Sequence, residues 1–233
     1  MLESLPPHNE DGASGLHMYV PWWLYQEQHA GKLGFARGYH IEPGGGRGMP
    51  SLGTGAGLEW LTGGSYGHRF KEDVRRYYGS FVYFSGRGEM IPNERSYCEI
   101  DPEVKDKWGI PVLRFHWDWS EHETRQAAHM QQTFGQIIES MGGRVHGKVE
   151  TDGAKAIYTG GSIIHEVGGA IMGAAAGNSV TNSWCQTWDV PNLFITDGAP
   201  FPSNADKNPT LTIMANAWRV SDHILERMRR REL

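Results

Sequence analysis

Between residues 112 and 119, apolar and polar positions alternate one for one: Leu113, Phe115, Trp117 and Trp119 are interleaved with Arg114, His116 and Asp118. A period of two is that of a strand with one face covered, and it predicts a half-buried β-strand. Residues 80–84 and 95–100 are further strand candidates, with turn chemistry at Asp101-Pro102 and Gly109-Ile110-Pro111. A short helix is expected over residues 70–78. At Ser120 the period changes. Ser120 as N-cap with Glu123 three residues on forms a capping box, Phe134, Ile137, Ile138 and Met141 recur at spacings of three and four, and Gly142-Gly143 supplies the stop. A helix over residues 120–141 follows from these signals.

Short strands are expected around residues 144–150 and 163–165, and a short buried strand over residues 192–196. After a polar loop, a long helix opens with Asn208 as N-cap and Pro209 at the first helical position. Ile213, Ala217, Val220, Ile224 and Met228 give it an apolar face, and Arg227, Arg229, Arg230 and Arg231 form a solvated end that complements its dipole. Strands, then a helix, then more strands make an α+β chain. Residues 1–70 show little helical period. Their glycine clusters at 44–48 and 53–57 lack both a following Gly-Lys-Ser/Thr and the G-x-G-x-x-G spacing, so they are read as irregular loops.

Composition narrows the function classes. The 233 residues carry a formal net charge of −5, with 39% hydrophobic, 11% aromatic and 21% charged residues. That excludes a disordered tail or a coiled coil and gives length enough for one or two domains. No basic stripe invites nucleic acid or an anionic membrane surface. No apolar run reaches the roughly 18 residues of a spanning helix, and the first residues lack a signal-peptide pattern. Compartment stays open between cytoplasm and periplasm. Cys98 and Cys185 pair or stay free; spacing does not distinguish the two. Glycine, at 31 residues, is well above the average of about 7%.

Eleven histidines raise the question of a metal, but His165-Glu166 would need a histidine at 169 for a zinc-protease motif and has Gly169 instead. His122 and His129, two helical turns apart, are read as surface residues, and no metal site is expected. His165 precedes Gly168, Gly169 and Gly173, glycines that let a backbone approach a flat ligand, and histidine moves protons near neutral pH. The helix start at Pro209 aims a partial positive charge at whatever lies beyond Asn208, which either caps the helix or meets a ligand hydroxyl.

Three ordered blocks now carry a resemblance. His165-Glu166-Val167-Gly168-Gly169-Ala170-Ile171-Met172-Gly173, then Trp188-Asp189-Val190-Pro191-Asn192-Leu193-Phe194-Ile195-Thr196-Asp197-Gly198-Ala199, then Asn208-Pro209-Thr210-Leu211-Thr212-Ile213-Met214-Ala215 resemble the C-terminal region of the glucose–methanol–choline (GMC) oxidoreductases. Gly88-Glu89, Pro92-Asn93-Glu94 and Lys107-Trp108-Gly109-Ile110-Pro111 are similar to that family's substrate-domain region. Cys185-Gln186 and Asp206-Lys207-Asn208-Pro209 are most similar to its bacterial gluconate, sorbose and fructose dehydrogenase branch.

The resemblance implies FAD as cofactor and oxidation of a sugar or polyol CH–OH to a carbonyl by hydride transfer. By motif, His165 matches the catalytic base and Asn208 the position that holds the substrate oxygen. Asp197, Gly198 and Ala199 match a segment contacting FAD, and Pro209 and Thr210 the helix start beside the flavin. A helix N-terminus there would stabilise the negative charge of a reduced flavin. The implied fold is α+β: a mixed or antiparallel substrate-domain sheet with flanking helices, plus a C-terminal strand–loop–helix completing an FAD-binding domain. Residues 1–175 are assigned to the substrate domain and 176–233 to the FAD-domain segment. Gly169 stands where the family commonly has Thr, and the family's G-x-G-x-x-G unit is absent from these residues. The expected partners are therefore a separate N-terminal FAD-binding chain and a cytochrome or quinone acceptor, with the chain inactive alone. Two other readings stand beside this one: a non-catalytic remnant binding carbohydrate or a partner through Trp22, Trp23, Trp117 and Trp119, and a zinc hydrolase built on the histidines.

Overall fold

The computed structural model describes residues 18–45, 63–77 and 82–233. Tyr39, His40, Ile41 and Glu42 are buried in unbroken succession on strand β1 (Tyr39–Gly45). Cover on both faces removes any alternation from the sequence, which is why a stretch expected as irregular loop forms a strand through Gly44 and Gly45. The second glycine cluster, residues 53–57, lies outside the described residues. Strand β1 pairs with β2 (Val82–Gly88) in a two-stranded sheet. A Cβ on Gly44 would come within 2.5 Å of the Tyr83 hydroxyl, so the close packing of the two strands requires glycine there.

The chain divides into two compact units, each assembled from two separate stretches. The first comprises Met1–Arg87 and Thr124–Ile157, the second Gly88–Glu123 and Tyr158–Leu233. In the first unit, Phe35, Tyr39, Ile41, Met130 and Phe134 form the core, with Trp22, Leu33, Phe84 and Ile137 packed against it. Helices α1 (Tyr25–His29) and α2 (Gly67–Tyr77) belong to the same unit. Met130 and Phe134 come from α3 (Glu121–Ser140), the helix expected at residues 120–141. Its capping box is present: Glu123 Oε2 accepts from Ser120 N at 2.7 Å, and Ser120 Oγ accepts from His122 N at 3.2 Å. At the other end Gly142 takes φ +75° and Gly143 N donates to Ile138 O at 2.8 Å, closing the helix as its glycines predict. A single helical turn, α4 (Gly153–Ala156), is capped by Asp152.

The second unit holds an antiparallel hairpin of β3 (Tyr97–Lys105) and β4 (Pro111–His116) and the long helix α5 (Thr210–Arg229). The register pairs Cys98 with Phe115 and Ile100 with Leu113 on one face, Tyr97 with His116 and Glu99 with Arg114 on the other. The strand expected over residues 112–119 therefore ends at His116, with Trp117 and Trp119 beyond it. Its apolar face is exposed rather than half-buried: Phe115 retains 70% and Ile100 68% of its accessible surface. A period of two reports a two-faced strand but not what covers the face. The strands expected at residues 144–150 and 163–165 do not form, and residues 192–196 contribute an isolated bridge, Phe194 to Gln186. Residues 192–196 are held by that single bridge and by bonds such as Ile195 N to Cys185 O at 2.9 Å, which leave no regular pattern in a sequence. Helix α5 begins at Thr210, with Pro209 as the residue whose carbonyl accepts from Ile213 N at 2.9 Å. Pro209 thus stands at the cap, one place earlier than expected. Helices and small antiparallel pairs together make an α+β chain.

Candidate functional site

The second unit brings parts of the three sequence blocks into contact. Ala170 N donates to Ala199 O at 3.0 Å, and Met172 N to Pro200 O at 2.8 Å, so residues 170–172 run alongside residues 199–200. Gly168 has φ +91°, a left-handed conformation that suits glycine, and a Cβ there would lie 3.5 Å from Phe201 O. Gly198 is enclosed on two sides: a Cβ would meet Ile213 Cδ1 at 3.3 Å and Val167 Cγ1 at 3.5 Å. Ile213 lies in the first turn of α5, so the residues after His165, the Asp197–Ala199 segment and the start of α5 meet at Gly198.

Each sequence-assigned residue has a definite place. His165 is half-buried in irregular chain, and Asn208 is exposed immediately before the buried Pro209. Asp197 is exposed, and its Oδ1 accepts from Ala199 N at 2.8 Å, a turn that bends the chain at Gly198. Gly198 and Ala199 are half-buried, and Thr210 is exposed as the first residue of α5. Behind this edge, Cys185 is buried and holds a left-handed φ of +57°; its carbonyl accepts from Ile195 N and its Sγ from Asn216 Nδ2 at 3.2 Å. Arg219 and His223 of α5 lie on the Trp184 ring, the guanidinium 4.7 Å and the imidazole 4.1 Å from its centroid. These contacts fasten residues 182–187 to α5. Both cysteines are free thiols.

Other candidates have different roles. His129 is no surface residue: its Nδ1 lies 2.8 Å from Tyr39 Oη in the first unit, and burial holds its imidazole below the usual histidine range. Trp22 packs against Phe35 and Tyr39, with its Nε1 donating to Gln28 Oε1 at 3.0 Å, so it is part of that unit's core. Among the described residues, no group of three or more His, Cys, Asp or Glu side chains is gathered to hold a metal, and no helix is long and apolar enough to cross a membrane. Sequence reading passed over the buried His40–Glu42–Arg87 network, where Glu42 accepts from Arg87 Nε at 3.0 Å and lies 3.1 Å from His40 Nε2. Burial alone would raise the Glu42 carboxyl; its bonds to Arg87 and His40 outweigh that and hold it below the usual carboxylate range.

Residues 92–217 match the family model described as GMC oxidoreductase. Among curated relatives, the chain is 31% identical over 217 residues to a 2-methyl-1,2-propanediol dehydrogenase from Mycolicibacterium austroafricanum, covering 93% of this chain and 37% of that protein. It is 31% identical over 170 residues to a fructose dehydrogenase large subunit from Gluconobacter japonicus, covering 73% of this chain and 30% of that one. It is also 30% identical over 152 residues to a gluconate 2-dehydrogenase flavoprotein from Pantoea cypripedii, covering 65% and 25%. The chain thus spans between a quarter and two fifths of the length of these relatives.

Proposed function

The chain belongs to the GMC oxidoreductase family, and we propose that it carries the alcohol-oxidising half of an FAD-dependent sugar or polyol dehydrogenase. The observation that carries this reading is the meeting of three segments at Gly198: Val167 from the His165 block, the Asp197–Ala199 turn, and Ile213 at the start of α5. Residues of this kind suit one edge of a flat cofactor. Gly168 and Gly198 keep the backbone bare, and a helix start favours an electron-rich group. Asp197, Gly198, Ala199, Pro209 and Thr210 would hold that edge. When bound, FAD would supply the acceptor for the hydride that leaves the carbinol carbon.

His165 takes the hydroxyl proton as the carbonyl forms, and the Asn208 amide holds the substrate oxygen without competing for the proton. The first turn of α5 adds backbone N–H groups and a partial positive charge, which steady developing negative charge at no cost in reorganisation. Apart from Gly168 at the cofactor edge and Asn208 on the substrate oxygen, residues 1–175 then serve the substrate and 176–233 the cofactor, and the remaining flavin contacts come from an FAD-binding polypeptide joined to or paired with this chain. The name of the fructose dehydrogenase large subunit supports an assembly of more than one chain, and in this reading the electrons pass on to a cytochrome or quinone. The test is to mix the chain with a separately expressed FAD-binding half and FAD, then follow flavin absorbance and polyol-dependent dye reduction. The expected result is bound flavin and turnover, with His165→Asn lowering turnover by about 10²–10⁴-fold at unchanged flavin content. A folded mixture that binds no FAD, or full turnover in His165→Asn, overturns the reading.

A further inference from the structure

The turn just upstream of His165 is gripped by two tryptophans that follow β4. Trp119 Nε1 donates to Tyr158 O at 2.9 Å. Gly160 lies directly on the Trp117 side chain, where an added Cβ would come within 2.4 Å of Cγ and 2.9 Å of Cδ1. The two indoles pack edge to face, 5.3 Å between centroids. Within the turn, Ser162 N donates to Thr159 O at 3.2 Å and the two hydroxyls lie 2.9 Å apart. Downstream, residues 167–172 are fixed against residues 198–201. His165, three residues beyond Ser162, therefore sits on a short irregular span anchored at both ends.

We propose that Trp117 and Trp119 are positioning residues for His165, fixing the upstream end of the span that carries the proposed base. This inference rests on the role given to His165 above. The physical argument is that irregular chain has no ladder of its own to hold its backbone in place, so the position of the His165 backbone depends on the contacts at the ends of the span. An indole N–H to a main-chain carbonyl sets position along the turn, and a ring face against a glycine sets its depth. Trp117, exposed, and Trp119, half-buried, thereby serve the site through the backbone rather than as a platform for a sugar ring.

The experiment uses the chain without flavin. The His165 imidazole resonance is assigned by its loss in His165→Asn and followed in Trp119→Phe, which keeps a ring but removes the donor, and in Gly160→Ala, which puts a methyl into the Trp117 ring. Trp108→Phe, a change at an exposed indole in the β3–β4 turn, is the control. Both variants are expected to shift or broaden the His165 signal and to speed Ser162 amide exchange by about tenfold, with the amides of α5 unchanged. An unmoved His165 signal in both variants overturns the proposal, as does an increase in exchange spread evenly through α5. Failure of the oxidoreductase reading shows separately, as full turnover in His165→Asn while the resonance still responds to the two variants.

Discussion

His129 shows how a single burial sets a pH response. Its ring is half-buried beside Tyr39, whose phenol is itself pushed up by burial, with a smaller opposing effect from the Thr133 hydroxyl. The stable pairing is a neutral imidazole accepting from a protonated phenol. Unfolding restores the ordinary histidine affinity for a proton, so below about pH 6.5 the unfolded chain binds more protons and stability falls as pH drops through that region. Glu42 and Asp101, both held below the usual carboxylate range, lose their contributions only at lower pH. The melting temperature followed by circular dichroism should therefore decline from pH 7 to pH 5. His129→Gln, which keeps an acceptor for Tyr39, should flatten that decline. A second residue-scale prediction concerns Gly153, where a Cβ would fall 1.7 Å from the main-chain oxygen of Thr124. Backbone cannot step aside as a side-chain tip can, so Gly153→Ala should cost about 3 kcal/mol in urea unfolding.

Among the elements, α3 depends on Glu123. One carboxylate oxygen accepts from Ser120 N at 2.7 Å and the other from Ile91 N at 2.8 Å, with the side chain buried. Glu123→Ala should lower stability by about 2 kcal/mol, while Glu123→Gln, which keeps one acceptor, should lose about half of that. Denaturant midpoints of the two variants check this. The same helix marks what a sequence can reveal. Its cap, apolar face and glycine stop are all local, and local signals survive in the order of residues. Residues 144–150, 163–165 and 192–196 carry apolar residues of strand type, yet none joins a ladder, and Phe194 makes a single bridge to Gln186. That outcome is decided by partners far along the chain. Strand β1 failed to announce itself for the opposite reason, because cover on both faces erased its alternation.

For the whole molecule, the three motif blocks around His165, Asp197 and Asn208 were legible as sequence, whereas their meeting at Gly198 was not, since no periodicity encodes contacts between irregular segments. Nor did the sequence show how much apolar surface stays uncovered in this chain. Leu211, Met214, Trp218, Leu225 and Met228 lie along one side of α5, with Leu211 at 78% and Trp218 at 75% exposure. The chain alone should bind anilinonaphthalene sulfonate, and Leu211→Gln with Trp218→Gln should cut that fluorescence by about half at unchanged helix content. The interleaving of the two units has a further consequence, in the order of synthesis. The ribosome releases residues 88–123 of the second unit before the first unit has received residues 124–157, and the second unit's remaining stretch comes last. The first unit lacks its second stretch until residue 157 has emerged, and the second unit is still incomplete at that point, so early in synthesis each holds unmatched apolar surface. A gene cut at residue 123 or 157 would leave the second unit unfinished, and a chaperone that shields nascent chain would matter most across that interval.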